Sequence, residues 1–116
     1  DITMNAEGGT GTLSVRQGVA KAWINFNGTG TPATRDSLNA SSLTDDSTGK
    51  FTLTFSSAMD NDDFAAVTSG GSSGTSAMMG YMYSPATSSV KLEYVSASNA
   101  LADPVFGTSD VNGDLA

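Results

Sequence analysis

The chain predicts an all-β fold, an antiparallel β-sandwich or jelly-roll-like domain. Three observations carry that expectation. Short segments alternate apolar and polar residues with period two, the mark of strands with one buried face. Ala20, Ala22, Ile24 and Phe26 alternate with Lys21, Trp23 and Asn25; Phe51, Leu53 and Phe55 with Thr52 and Thr54; Val90, Leu92 and Tyr94 with Lys91 and Glu93. Turn-forming Gly, Ser, Asp and Asn separate these segments at short, regular intervals. No stretch keeps a helical period over a helix-length window.

Taken in order, residues 1–4 read as a short extended piece and 6–11 as a Gly-rich hinge or turn. Residues 12–17 alternate (Leu13 and Val15 against Ser14 and Arg16) and predict a strand, which Gly18 turns into the next. The segment around Trp23 is expected to be a central strand covered on both faces, since each face carries a large side chain. Asn27 to Pro32 stops it. Residues 33–44 are polar apart from Leu38 and Leu43 and predict one or two short strands near an edge. Residues 44–50 form a turn in which Gly49 supplies positive φ, so Leu43, the turn and the Phe51 strand predict a hairpin. After a loop at 56–63 come a short β-prone piece at 64–68 and a flexible loop tip at 69–74. Residues 77–84, with Met78, Met79, Tyr81, Met82 and Tyr83, predict a strand covered on both faces and closed by Pro85. A strand at 88–95 and a loop at 96–102 follow, and Val105 and Phe106 open a last strand or a tail.

The 116 residues are expected to form one domain, 1–116. A 38% hydrophobic content gives a thin core per subunit, which favours folding as an oligomer. The net charge of −7 rests on twelve acidic and only five basic residues. No basic patch can be built from five cations, so nucleic-acid binding and association with an anionic membrane are not expected. No apolar run reaches membrane-spanning length, and membrane insertion is not expected either. A chain that opens on Asp1 is expected to be a piece of something longer.

Cys and His are both absent. A disulfide framework, a Ser-His-Asp triad, a Cys-His pair and a common zinc site therefore lose their parts. Acid–base work would fall to carboxylates, but Asp36, Asp45, Asp46, Asp60, Asp62 and Asp63 sit in or beside turns, where Asp bonds its own backbone. Asp60-Asn61-Asp62-Asp63 is dense in hard oxygen ligands. An EF-hand counted from Asp60 would need Gly at 65 and Glu at 71, where Ala65 and Gly71 stand. A solvated turn is the simpler reading, with a calcium ion shared between subunits as the open alternative. Gly8-Gly9-Thr10-Gly11 and Gly28-Thr29-Gly30 lack the Lys-Ser/Thr and the helix of a phosphate loop. No catalytic residue, metal ligand or cofactor is expected. The candidate interface residues are aromatic: Trp23, Tyr81, Tyr83 and Tyr94 can stack on sugar rings, or pack between sheets or subunits.

Gly18-Val19-Ala20-Lys21-Ala22-Trp23-Ile24-Asn25-Phe26, then Arg35-Asp36-Ser37-Leu38-Asn39-Ala40-Ser41-Ser42-Leu43-Thr44-Asp45 and Gly49-Lys50-Phe51-Thr52 follow one another along the chain. This run, about Glu7 to Phe64, resembles a module of bacteriophage tail-fibre and other virion proteins, marine phages included. The resemblance departs after Ala58-Met59, where a Pro common in the family is missing, and in the distal half. It implies the C-terminal part of a longer fibre or virion protein, located in the virion. The expected function is a non-enzymatic structural one: a trimeric tail-fibre or spike domain for host attachment. Its expected partners are copies of itself, other virion proteins and a host cell-surface glycan or protein. A capsid decoration or head-fibre protein and a carbohydrate-binding adhesin domain are the alternatives. A glycan depolymerase would need an Asp/Glu pair in a groove.

Overall fold

The period-two faces become strands. A computed structural model describes residues 2–72 and 76–116. Among them are β1 (Thr3–Asn5), β2 (Thr12–Ser14), a single helical turn α1 (Val15–Gly18), β3 (Ala22–Asn27), β4 (Ala33–Leu38) and β5 (Ala40–Ser47). There follow β6 (Lys50–Phe55), β7 (Ala65–Gly71), β8 (Ala77–Ala86), β9 (Ser89–Ser96) and β10 (Phe106–Asn112). β1 and β2 pair only with each other. The other eight strands form one antiparallel sheet in the order β4-β3-β10-β7-β8-β9-β6-β5. That sheet wraps around a single core and is nearly closed, a sandwich whose two layers are halves of one sheet.

The expected inward faces are the buried ones. Ala22, Ile24 and Phe26 of β3, Phe51, Leu53 and Phe55 of β6, and Val90, Leu92 and Tyr94 of β9 are all buried. Phe26, Phe51 and Tyr94 meet edge-on, with ring centroids 5.0, 5.8 and 6.0 Å apart. These rings lie over glycines on adjoining strands. In register, Gly107 of β10 stands opposite Phe26 and Gly80 of β8 opposite Tyr94. A Cβ on Gly107 would come within 2.6 Å of the Phe26 ring, and one on Gly70 within 2.8 Å of the Tyr94 ring. The missing side chains make the room that the aromatics fill. The polar groups in the core pair: the Ser109 and Thr68 hydroxyls are 3.0 Å apart, and Tyr94 Oη donates to the Thr108 carbonyl at 3.3 Å.

β4 and β5 follow one another in the chain yet occupy opposite margins of the sheet. Asn39 is the corner between them, with φ +55°. Its Nδ2 donates to the carbonyls of Lys21 and Ser57, each at 3.0 Å, and its Oδ1 accepts from Ser57 N at 2.6 Å. The Asn39 carbonyl accepts from Ser56 N at 3.2 Å. One side chain thus ties the start of β3 to the end of β6 and closes the seam.

Several expectations need correction. The strand at 12–17 stops at Ser14, and Val15 to Gly18 turn helically. The β3 strand is covered on its inner face only; Trp23 is half-buried on the outside. The loop tip at 69–74 is β7 as far as Gly71, and 73–75 lie outside the described residues. Pro85 does not close β8, which reaches Ala86 through a bulge, and the outer face of β8 is open. Of the last strand or tail expected from Val105 and Phe106, the structure has the strand: β10 lies between β3 and β7.

The β1–β2 hairpin is an arm. The chain measures 49 × 29 × 22 Å with a radius of gyration of 15.8 Å, against about 13.4 Å for a compact chain of this length. The arm carries exposed Ile2, Met4 and Leu13.

Two stability predictions follow from the core and the seam. Asn39→Ala loses three side-chain hydrogen bonds and strains the left-handed corner, so it is expected to cost about 2–4 kcal/mol in urea unfolding. Asn39→Gly should recover about 1 kcal/mol of that, the backbone share; an Ala variant as stable as wild type would contradict the latch. Burial raises the Tyr94 phenol above its ordinary value. A raised pKa in the folded state means that this stabilisation is complete below about pH 10, the unfolded value, and is lost as pH climbs toward the folded one. The stability advantage of wild type over Tyr94→Phe should therefore shrink above about pH 10; an advantage constant to higher pH would contradict it.

Candidate functional site

The outer face of the wrapped sheet divides into two halves of different chemistry. On β4, β3, β10 and β7, outward residues form the cross-strand row Leu38, Trp23, Asp110, Val67. Leu38 is exposed, Trp23 half-buried and Val67 72% exposed. Met79 stands diagonally beside Val67, opposite Ser69, and is 65% exposed. Asp110, itself exposed, interrupts this row, so its apolar members are Leu38 and Trp23 on one side and Val67 with Met79 on the other.

Beyond β8 the surface turns polar. Tyr81 pairs with Glu93, which pairs with Lys50; Tyr83 pairs with Lys91, which pairs with Thr52. Lys50 and Glu93 form an ion pair at 3.3 Å, and Lys91 and Asp46 one at 3.4 Å. Thr52 Oγ1 donates to Asp46 Oδ2 at 2.6 Å and accepts from Lys91 Nζ at 2.9 Å. These side chains are fixed by each other on the outer surface of three adjacent strands. Exposed ion pairs of this kind contribute little stability, about 0–1 kcal/mol each.

Of the four candidate aromatics, the structure brings two together. Tyr81 and Tyr83 share the outer face of β8, two residues apart, and Trp23 lies across the sheet from them. Tyr94 belongs to neither half: it is buried, and its ring fills the core beside Phe26 and Phe51. Its place was readable, since Tyr94 shares its parity with Val90 and Leu92. The polar partners Lys50, Thr52, Lys91 and Glu93 have outward parity too. Only the strand order, which local pattern does not reveal, sets them beside the tyrosines.

Polar residues of the motifs that carry the resemblance have structural work. Arg35 reaches from β4 across β3, where Nη1 donates to the Phe26 carbonyl and Nη2 to the Val105 carbonyl, each at 2.8 Å. Its guanidinium lies 4.7 Å from the Phe106 ring centroid. Lys21 is buried and donates to the Val19 carbonyl at 2.6 Å. Next to it, Val19, Leu38 and Leu115 line an open apolar groove of about 470 Å³ beside Asn39.

Asp60 to Asp63 sit in an exposed turn in which Asn61 Oδ1 accepts from Asp63 N at 2.9 Å. Among the described residues, no three His, Cys, Asp or Glu converge to hold a metal ion. Gly8 lies in the turn of the arm, and Gly28 is pinned by its N–H donating to the Pro104 carbonyl at 2.7 Å. Just after the loop expected at 96–102, Asp103 turns in and accepts from Gly49 N at 2.8 Å. No family model, curated protein or solved structure matches the chain.

Proposed function

We propose that the chain is a non-enzymatic structural domain of a bacteriophage virion, a trimeric tail-fibre or spike module that attaches the particle to its host. The observation that carries this reading is a set of exposed apolar side chains on two parts of the chain. It comprises Val67 and Met79 on the sheet, with Ile2, Met4 and Leu13 on the arm. Isolated exposed apolar residues are ordinary, but a run along neighbouring strands marks an interaction surface. A second support is the order of the motifs around Trp23, Asn39 and Phe51, which resembles virion modules. In this reading the Val67–Met79 patch and the arm meet neighbouring copies, and the tyrosine-bearing half of the sheet faces outward.

The charge gives the reading a signature. Copies of net charge −7 repel one another, and salt screens that repulsion while leaving apolar burial intact. A decoration or head-fibre protein could use the same arm to hold a capsid lattice.

Light scattering on the purified chain is expected to give a trimer that tightens with added salt. Val67→Asp combined with Met4→Asp replaces exposed side chains and should leave the fold intact while shifting the mass toward monomer. A wild-type monomer at high micromolar concentration, whatever the salt, would contradict the assembly. Labelled protein that binds emptied capsids and not host cells would overturn the attachment role.

A further inference from the structure

We propose that the outer face of β8, β9, β6 and β5 is a binding plate for a neutral oligosaccharide, with Tyr81 and Tyr83 as its stacking residues. The inference rests on the attachment reading and names the surface and ligand class that would serve it.

Sugars offer two chemistries at once, an apolar face of C–H groups and a rim of hydroxyls that both donate and accept. The plate offers the complements side by side. Tyr81 is 42% exposed, and Tyr83 is two residues away on the same face. Alternate residues of a strand are separated by about 7 Å, so the two rings flank successive positions along β8. Each tyrosine has a charged residue directly across on β9, Glu93 beside Tyr81 and Lys91 beside Tyr83. One strand further, Lys50 and Thr52 continue the same two rows. Tyrosine presents an apolar ring face with a polar tip, which suits a ligand that is wet at its edge.

The charges decide between ligand classes. Two cations and two anions, paired as Lys50–Glu93 and Lys91–Asp46, leave the plate with no net charge. The rest of the chain is strongly acidic, so an anionic polysaccharide would be repelled. A protein partner would want an apolar centre with a polar rim, whereas here the apolar groups stand at one margin and the polar groups fill the middle. A neutral glycan needs neither net charge nor an apolar centre. The ion pairs and the Thr52 hydrogen bonds hold donors and acceptors in place before the ligand arrives, which reduces the ordering cost of binding. A flat plate binds one sugar chain weakly. Linked copies on a particle raise the avidity by about 10²–10⁴.

The test is an amide ¹H–¹⁵N NMR titration of the whole chain with maltohexaose, cellohexaose, laminarihexaose, mannohexaose and galactohexaose, and with hexagalacturonate as the acidic comparison. At least one neutral hexasaccharide is expected to shift amides within 79–83, 89–93 and 50–54, and hexagalacturonate is expected to shift none of them. Tyr81→Ala and Tyr83→Ala should each weaken that binding at least tenfold, with the remaining amide spectrum preserved. No response to any neutral sugar, shifts confined to the β4-β3-β10-β7 half, or binding unchanged in both variants would overturn the plate. Light scattering on the same variants keeps the two readings apart. A trimer that binds no sugar counts against the plate alone, and a monomer that binds sugar through it counts against the assembly alone.

Discussion

The packing of three aromatic rings onto a floor of glycines is the constraint on which the rest of the molecule depends. With so few large apolar residues, the core cannot be filled by aliphatic side chains from every strand. Phe26, Phe51 and Tyr94 supply the volume, and Gly70, Gly80 and Gly107 supply the space. The rings come from strands in different halves of the sheet, so the contact between them draws the sheet round on itself. A methyl group at Gly107 would collide with the Phe26 ring, and overpacking of this kind costs about 1–3 kcal/mol. Asn39 then finishes what the rings begin, by bonding both margins of the seam from one side chain.

Wrapping has a consequence for the outside. A sheet folded on itself buries one face and leaves the other to solvent along its whole width. The outer face must then be made either polar or useful. Threonines, serines and paired charges make β9, β6 and β5 polar, while Val67 on β7 and Met79 on β8 are exposed apolar side chains. Met79 and Tyr81, two residues apart on β8, mark the border. In the proposed reading, one part of this face serves neighbouring copies and the other a ligand.

Much of this was legible in the residues. Parity along β3, β6 and β9 separates inside from outside within each strand, although Trp23 stands on the outer face of β3 and Lys21, just before it, is buried against its parity. The β5–β6 hairpin and the edge positions of β4 and β5 were legible too, from the Gly49 turn and the polarity of residues 33–44. Elements were misread where glycine serves packing and not turning. Ser69-Gly70-Gly71 looks like a loop tip, yet Gly70 is a strand residue kept bare for Tyr94. β10 has Val111 as its only aliphatic side chain, so its place between β3 and β7 leaves little local trace. The candidate site was half legible. Tyr81 and Tyr83 could be named, but their ionic neighbours Lys50 and Asp46 come from β6 and β5, far back in the chain, and no local pattern reports that adjacency.

Native-state hydrogen exchange tests the central claim most directly. If the rings and glycines hold the wrapped sheet together, the ladder amides of β3, β10 and β9 around Phe26, Gly107 and Tyr94 will exchange only through global unfolding. Those of the β1–β2 arm will exchange through local opening at far lower free energy. Exchange at Phe26 or Gly107 that proceeds while the Phe51 strand stays protected would mean that the two halves of the sheet are held by something else.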